Sequence, residues 1–65
     1  MWMTVHMAQG LQAARIIERK FSDEGILVRL KPVYKNREAE ENYYEIRVLA
    51  SEAKEARQIL INEGL

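Results

Sequence analysis

His6 is the only histidine of this 65-residue chain, and imidazole is the side chain best suited to move a proton near neutral pH. It stands alone. There is no second histidine and no cysteine to complete a usual metal set, and no Ser or Cys nucleophile lies at a recognisable spacing. Glu38, Glu40 and Glu41 are the remaining candidates for acid–base work. A working carboxylate pair needs a pocket that raises one pKa, and this run reads as a solvated loop. Gly10, Gly25 and Gly64 are isolated from one another and make no phosphate-cradling loop. The chain is therefore expected to be no enzyme, and neither a cofactor nor a metal is implied.

Binding leaves more to consider. Arg29, Lys31, Tyr43 and Arg47 recur at alternate positions of two strand-like runs, which makes them the candidate anion or ligand face. Exposed aromatics beside basic residues are also how single-stranded RNA is bound, by stacking of bases. Trp2 and Tyr43 meet that pattern loosely, but the glycine–aromatic run of RNA-binding sheets is absent and ten basic residues balance ten acidic ones. A weak RNA binder ranks last among the functional readings. Trp2, Thr4, His6, Leu27 and Leu49 are the candidate interface, because an exposed Trp–Leu–Leu patch fits a partner surface better than open water.

The elements that would carry these residues follow from periodicity. Residues 42–49, NYYEIRVL, alternate outward Tyr43, Glu45, Arg47 and Leu49 with inward Tyr44, Ile46 and Val48, the signature of a half-buried central strand. Residues 2–7 alternate in the same way, with Met3, Val5 and Met7 predicted inward and Trp2, Thr4 and His6 outward. From 9 to 24 the period becomes helical, with Gly10, Ala14, Ile17 and Phe21 in one stripe, and Gly25 stops it. Gly10 is the best N-cap on offer. Residues 26–33, ILVRLKPV, form a strand with Ile26, Val28 and Leu30 inward; Pro32 cannot donate to a ladder and puts this strand at an edge. Residues 34–41 are a polar, mobile connection, and its opposed charge blocks are expected to neutralise each other on the hairpin. A second helix spans 52–63, with Ser51 as N-cap and Ala53, Ala56, Ile59 and Leu60 buried.

The order β-α-β-β-α, with a right-handed crossover and an edge second strand, predicts a single α+β domain over residues 1–65. It is a two-layer sandwich with a three-stranded sheet in the order 1-3-2 and two helices on one face, a truncated ferredoxin-like split unit without its fourth strand. On the uncovered face Trp2, Leu27 and Leu49 should cluster at one end, with Thr4, Arg29 and Arg47 in the middle. His6, Tyr43, Lys31 and Glu45 should lie towards the hairpin. A register placing Arg29 opposite Glu45 is preferred, since it avoids an Arg–Arg pair. The outer edge of the first strand carries no Lys, Pro or inward charge, so nothing blunts it.

Composition narrows the setting. A core of this size supplies about 3–5 kcal/mol, so a staple is expected. Disulfides are excluded by the lack of cysteine, which leaves oligomerisation and suits a reducing compartment. The balanced charge steers the chain to neither nucleic acid nor an acidic membrane, and no apolar run reaches membrane-spanning length. A bacterial-type cytoplasmic protein is the default expectation.

The segments MWMTVHMAQG, EGILVRLKPVYKN, ENYYEIRVLASEA and ILINEGL together cover essentially the whole chain. It resembles a family of short uncharacterised bacterial proteins similar to the small PII-like signal-transducing domains. The helix–Gly25–strand pattern likewise resembles regulatory modules of the ACT and PII-like kind, in which ligands often bind at subunit contacts. Some members of the family carry a glutamate decarboxylase label, which implies pyridoxal phosphate on a large fold; Lys20, Lys31, Lys35 and Lys54 lack any such surroundings. The resemblance supplies no catalytic residues. Residues and resemblance together predict a non-enzymatic regulatory or interaction module, homodimeric through the first strand or the open sheet face. The alternative is a small-anion or metabolite sensor using Arg29 and Arg47, with a further protein or a small metabolite as partner.

Overall fold

The computed structural model describes residues 1–65 and has the predicted order. It runs β1 (Trp2–Gln9), α1 (Leu11–Asp23), β2 (Val28–Pro32), β3 (Tyr43–Leu49) and α2 (Ala53–Asn62), with short 3₁₀ turns at Ala39–Glu41 and Ala50–Glu52. The strands form one antiparallel sheet in the order β1-β3-β2. Both helices lie on one face of it, because Ala14, Ile17 and Phe21 of α1 and Ala53, Ala56 and Leu60 of α2 share a core with inward Tyr44, Ile46 and Val48. Phe21, Ile46 and Val48 are the largest side chains wholly removed from water, and that removal is the main favourable term of the fold. No helix is long and apolar enough to cross a membrane.

Helix α1 ends as its sequence requires. Ile26 N–H bonds Phe21 C=O and Gly25 N–H bonds Ser22 C=O, a Schellman closure with Gly25 at φ +81°. Ile26 is thereby turned into the core ahead of β2, and the strand itself starts only at Val28, two residues later than the predicted 26–33. Val33 N–H bonds Tyr43 C=O, so alternation turns the nitrogen of Pro32 to the outer edge, where a missing donor loses no ladder bond.

The ends of β1, α1 and α2 also differ from expectation. Strand β1 continues to Gln9, where 2–7 was expected, and α1 starts at Leu11, where 9 was expected. Gly10 is the hinge between them, held by its N–H on Asn42 C=O at 2.8 Å. Ser51 does not cap α2: the chain passes from β3 through the 3₁₀ turn, which places Glu52 at the N-cap with no side-chain bond. The 34–41 connection is pinned. Buried Asn42 accepts from the N–H of Tyr34 (3.1 Å) and of Tyr43 (2.8 Å) and donates to Tyr34 C=O at 2.7 Å. Tyr44 Oη donates to Ala39 C=O at 3.0 Å, and Glu40 Oε2 accepts the Gln12 N–H at 3.0 Å. Glu40 thus caps α1 from a distant loop, which is why the helix start lacked a local cap residue.

Candidate functional site

The open sheet face is built by the outward residues of three strands. Arg47 of β3 stands between Thr4 of β1 and Arg29 of β2, the predicted middle row, and Glu45 lies opposite Lys31. The preferred Arg29–Glu45 register is therefore wrong, and two arginines face each other. Like charges directly opposite are unfavourable, and each arginine has a compensating neighbour. The Arg29 guanidinium lies over the Trp2 ring, 4.2 Å from its centroid. Arg47 leans towards Glu45, at 3.9 Å from Nε to Oε1, with Nε buried and unbonded. Glu45 also accepts the Thr4 hydroxyl at 2.8 Å. Trp2 pairs with Leu49 as expected, but Leu27 precedes the first paired residue of β2 and is 59% exposed. The face is dressed by its own polar side chains.

No ion pair links the charge blocks of the hairpin; the three present are Arg15–Glu18, Lys20–Glu63 and Arg47–Glu45. Arg37 stacks instead over Tyr34 at 4.3 Å, and Glu40 is used as a helix cap.

The largest departure from the sequence reading lies in β1. Thr4 pairs with Arg47 and His6 with Ile46, so Val5 is left without a partner in a β-bulge. The extra residue reverses the alternation. After it, His6 and Ala8 share the inward side of Ile46 and Tyr44, while Met7 and Gln9 share the outward side of Glu45 and Tyr43. His6, predicted on the open face, belongs to the helix side; Met7, predicted in the core, is 52% exposed. The bulge also corrects the view that nothing blunts this edge, since bulges are one means by which edge strands are protected.

Behind the bulge the edge adjoins a groove of about 340 Å³ between the end of β1, the flank of α1 and the tail of α2. His6, Met7 and Ala8 meet Ile16 and Ile17 across it, Lys20 Nζ and Glu63 Oε1 (2.8 Å apart) line it too, and Leu65 adds an apolar wall. Ile16 and Leu65 are 53% and 54% exposed. A flatter depression of about 350 Å³ on the outer side of α1 shares Ile16 and Lys20 but is otherwise lined by Arg15, Arg19 and Asp23.

The backbone of this edge can be read from two bonds. Gly10 N–H reaches Asn42 C=O, so by alternation Ala8 and His6 also turn their polar groups to β3. Met7 and Gln9 must then present N–H and C=O to the unpaired side. At the other end Ala50 N–H reaches Met1 C=O, so before the bulge it is Trp2 and Thr4 that face outwards. Of the predicted interface, the structure brings Trp2, Thr4 and Leu49 together on the open face and moves His6 to the groove. Sequence reasoning missed Ile16, Leu65, Glu40 and Asn42. One signal for the bulge was present: polar Thr4 and Gln9 differ in parity and can share the open face only with a shift between them.

No protein-family model, no curated protein and no solved structure matches the chain.

Proposed function

We propose that the chain is a non-enzymatic interaction module that assembles as a homodimer through the free edge of β1, in a regulatory or scaffolding role in the bacterial cytoplasm. One observation carries this reading: the outward backbone groups of Met7 and Gln9 lie beside a groove flanked by exposed Ile16 and Leu65. Unpaired strand edges template pairing with another chain, and apolar side chains next to them supply the burial that makes such pairing stable. A core of this size leaves only about 3–5 kcal/mol, so a subunit contact would contribute a large fraction of the total. Between the two surfaces first considered, the edge is favoured over the open face, where Arg29 already covers Trp2 and Glu45 already holds Thr4. A small-anion site on Arg29 and Arg47 has weaker support, because Arg29 already lies over Trp2 and Arg47 already stands beside Glu45. The same assembly would serve a PII-like regulator that binds its ligand at a subunit contact.

The test is light scattering on a size-exclusion column over a wide concentration range, for the wild type and for Ile16→Glu. Ile16 is on the exposed side of α1, so glutamate leaves the monomer fold unchanged by circular dichroism. The expected result is a wild-type dimer and a monomeric variant. A wild type that stays monomeric at every concentration refutes the proposal.

A further inference from the structure

We infer that the second copy docks antiparallel along β1 in one register, with Ala8 facing Ala8 across a two-fold axis and Met7 of each protomer facing the partner's Gln9. The inference rests on the assembly proposed above and specifies it. Only a residue whose N–H and C=O point outwards can form a hydrogen-bonded pair with the same kind of residue on another strand. Between the bulge at Val5 and the hinge at Gly10, those residues are Met7 and Gln9.

A two-fold axis then leaves three choices. Centring it on Met7 sets Gln9 against the bulged Val5 of the partner. Centring it on Gln9 sets Met7 against Leu11, which is already in α1. Centring it on Ala8 uses both outward residues of each chain, keeps the bulge outside the ladder and stops at the hinge. This register is also self-complementary in size and charge. Ala8 is small where the two chains meet, and no acid or base other than His6 lies between Trp2 and Gln9, so no like charges oppose each other.

The side-chain positions next to the axis fit as well. His6 comes opposite the partner's Gly10, on the helix side of the sheet. Gly10 has no side chain, and the place a Cβ would take lies 2.9 Å from Glu40 Oε1 of its own protomer. The imidazole therefore meets a carboxylate fixed at a helix N-terminus, in place of a clash or an empty space. The solitary histidine thereby acquires a partner that the single chain does not give it. Two three-stranded sheets become one continuous sheet, and the exposed Met7 side chains gain cover from Gln9 on the open face.

The chain has no native cysteine, so single-cysteine variants report this register without background. Ala8 would sit in a non-hydrogen-bonded pair, where facing Cα atoms are about 4.5 Å apart and within disulfide span. Ala8→Cys oxidised with glutathione disulfide at micromolar protein is expected to form covalent dimer roughly 100-fold faster than Leu27→Cys, a surface control on the far edge. Because Ala8 is buried, the exposed Met7→Cys and Gln9→Cys provide an independent arm: mixed together they should form the hetero-disulfide in preference to either homodimer. A wild-type dimer in which Met7→Cys or Gln9→Cys instead cross-links to itself overturns the register and leaves the assembly standing. A monomeric wild type, with every variant cross-linking no faster than Leu27→Cys, overturns both.

Discussion

Gly10→Ala should remove most of the stability of the fold, and the reason can be worked from two neighbours. Gly10 has φ +89° and ψ 146°, a region that residues with a side chain rarely occupy, at a cost of about 1–3 kcal/mol. The added Cβ would also lie 2.9 Å from Glu40 Oε1 and 3.2 Å from the Glu40 carbonyl oxygen. The carboxylate is the flexible member and must move, which breaks its bond to the Gln12 N–H at the start of α1. Loss of a helix cap costs about 1 kcal/mol in most hosts. Together these take about 2–4 kcal/mol from a domain whose core supplies about 3–5 kcal/mol. The assay is urea unfolding followed by circular dichroism at fixed protomer concentration, for Gly10→Ala, Glu40→Ala and the double variant. Glu40→Ala alone should cost about 1 kcal/mol or less, since the freed N–H is solvent-accessible. The double variant should be less destabilised than the sum of the two by at least about 0.5 kcal/mol, because the lost cap is counted in both singles. A Gly10→Ala variant within about 0.5 kcal/mol of wild type, or strict additivity, refutes the account of this hinge.

Two further outcomes are expected. Trp2→Ala removes the ring beneath the Arg29 guanidinium and should cost about 1–2 kcal/mol by urea unfolding, while light scattering should still show the dimer, because Trp2 lies outside the groove; dissociation by this variant would move the contact to the open face. Asn42→Ala leaves the Tyr34 and Tyr43 amides without their acceptor and should cost about 1–3 kcal/mol. Hydrogen exchange at those two amides should accelerate beyond the global change, and unchanged local protection would show that Asn42 does not hold the loop.

The fold was legible because its strongest signals were periodic and local. Ile46 and Val48 on β3, Ala14, Ile17 and Phe21 on α1, and Ala53, Ala56 and Leu60 on α2 are buried at the spacings that identified them. Gly25 and Pro32 mark a helix end and an edge strand by mechanisms that operate within a few residues. The misreadings share the opposite property. Ser51 has the right type for a cap, but the tight turn out of β3 leaves it no helix start to bind. Glu40 caps a helix at Gln12, 28 positions earlier in the chain, and spacing along the chain contains no trace of it. The Arg29–Glu45 register differs from the observed Arg29–Arg47 pairing by two residues, a shift that keeps the same apolar side chains inward, so alternation does not choose between them. The choice is made at the hairpin, where Val33 N–H bonds Tyr43 C=O and Asn42 holds Tyr34, contacts between residues that spacing alone does not reveal.

The faces of β1 were misread because of the single unpaired Val5. Before it, the residues that turn their backbone outwards are Trp2 and Thr4; after it, they are Met7 and Gln9. A bulge thus does two things that a regular edge strand could not combine. It interrupts the outward row of backbone groups along β1, and it leaves a short segment, Met7 to Gln9, for the pairing proposed above. It also takes His6 off the polar sheet face and sets it beside Ile16, Ile17 and the Lys20–Glu63 pair. Deleting Val5 would join the Thr4–Arg47 pair directly to His6–Ile46 in a regular ladder, with His6 still inward and Met7 still outward. The outward backbone groups of Trp2, Thr4, Met7 and Gln9 would then form one uninterrupted row. The edge that remained would be longer and flatter, the kind that templates unspecific pairing, so the specificity of the proposed dimer rests on the bulge.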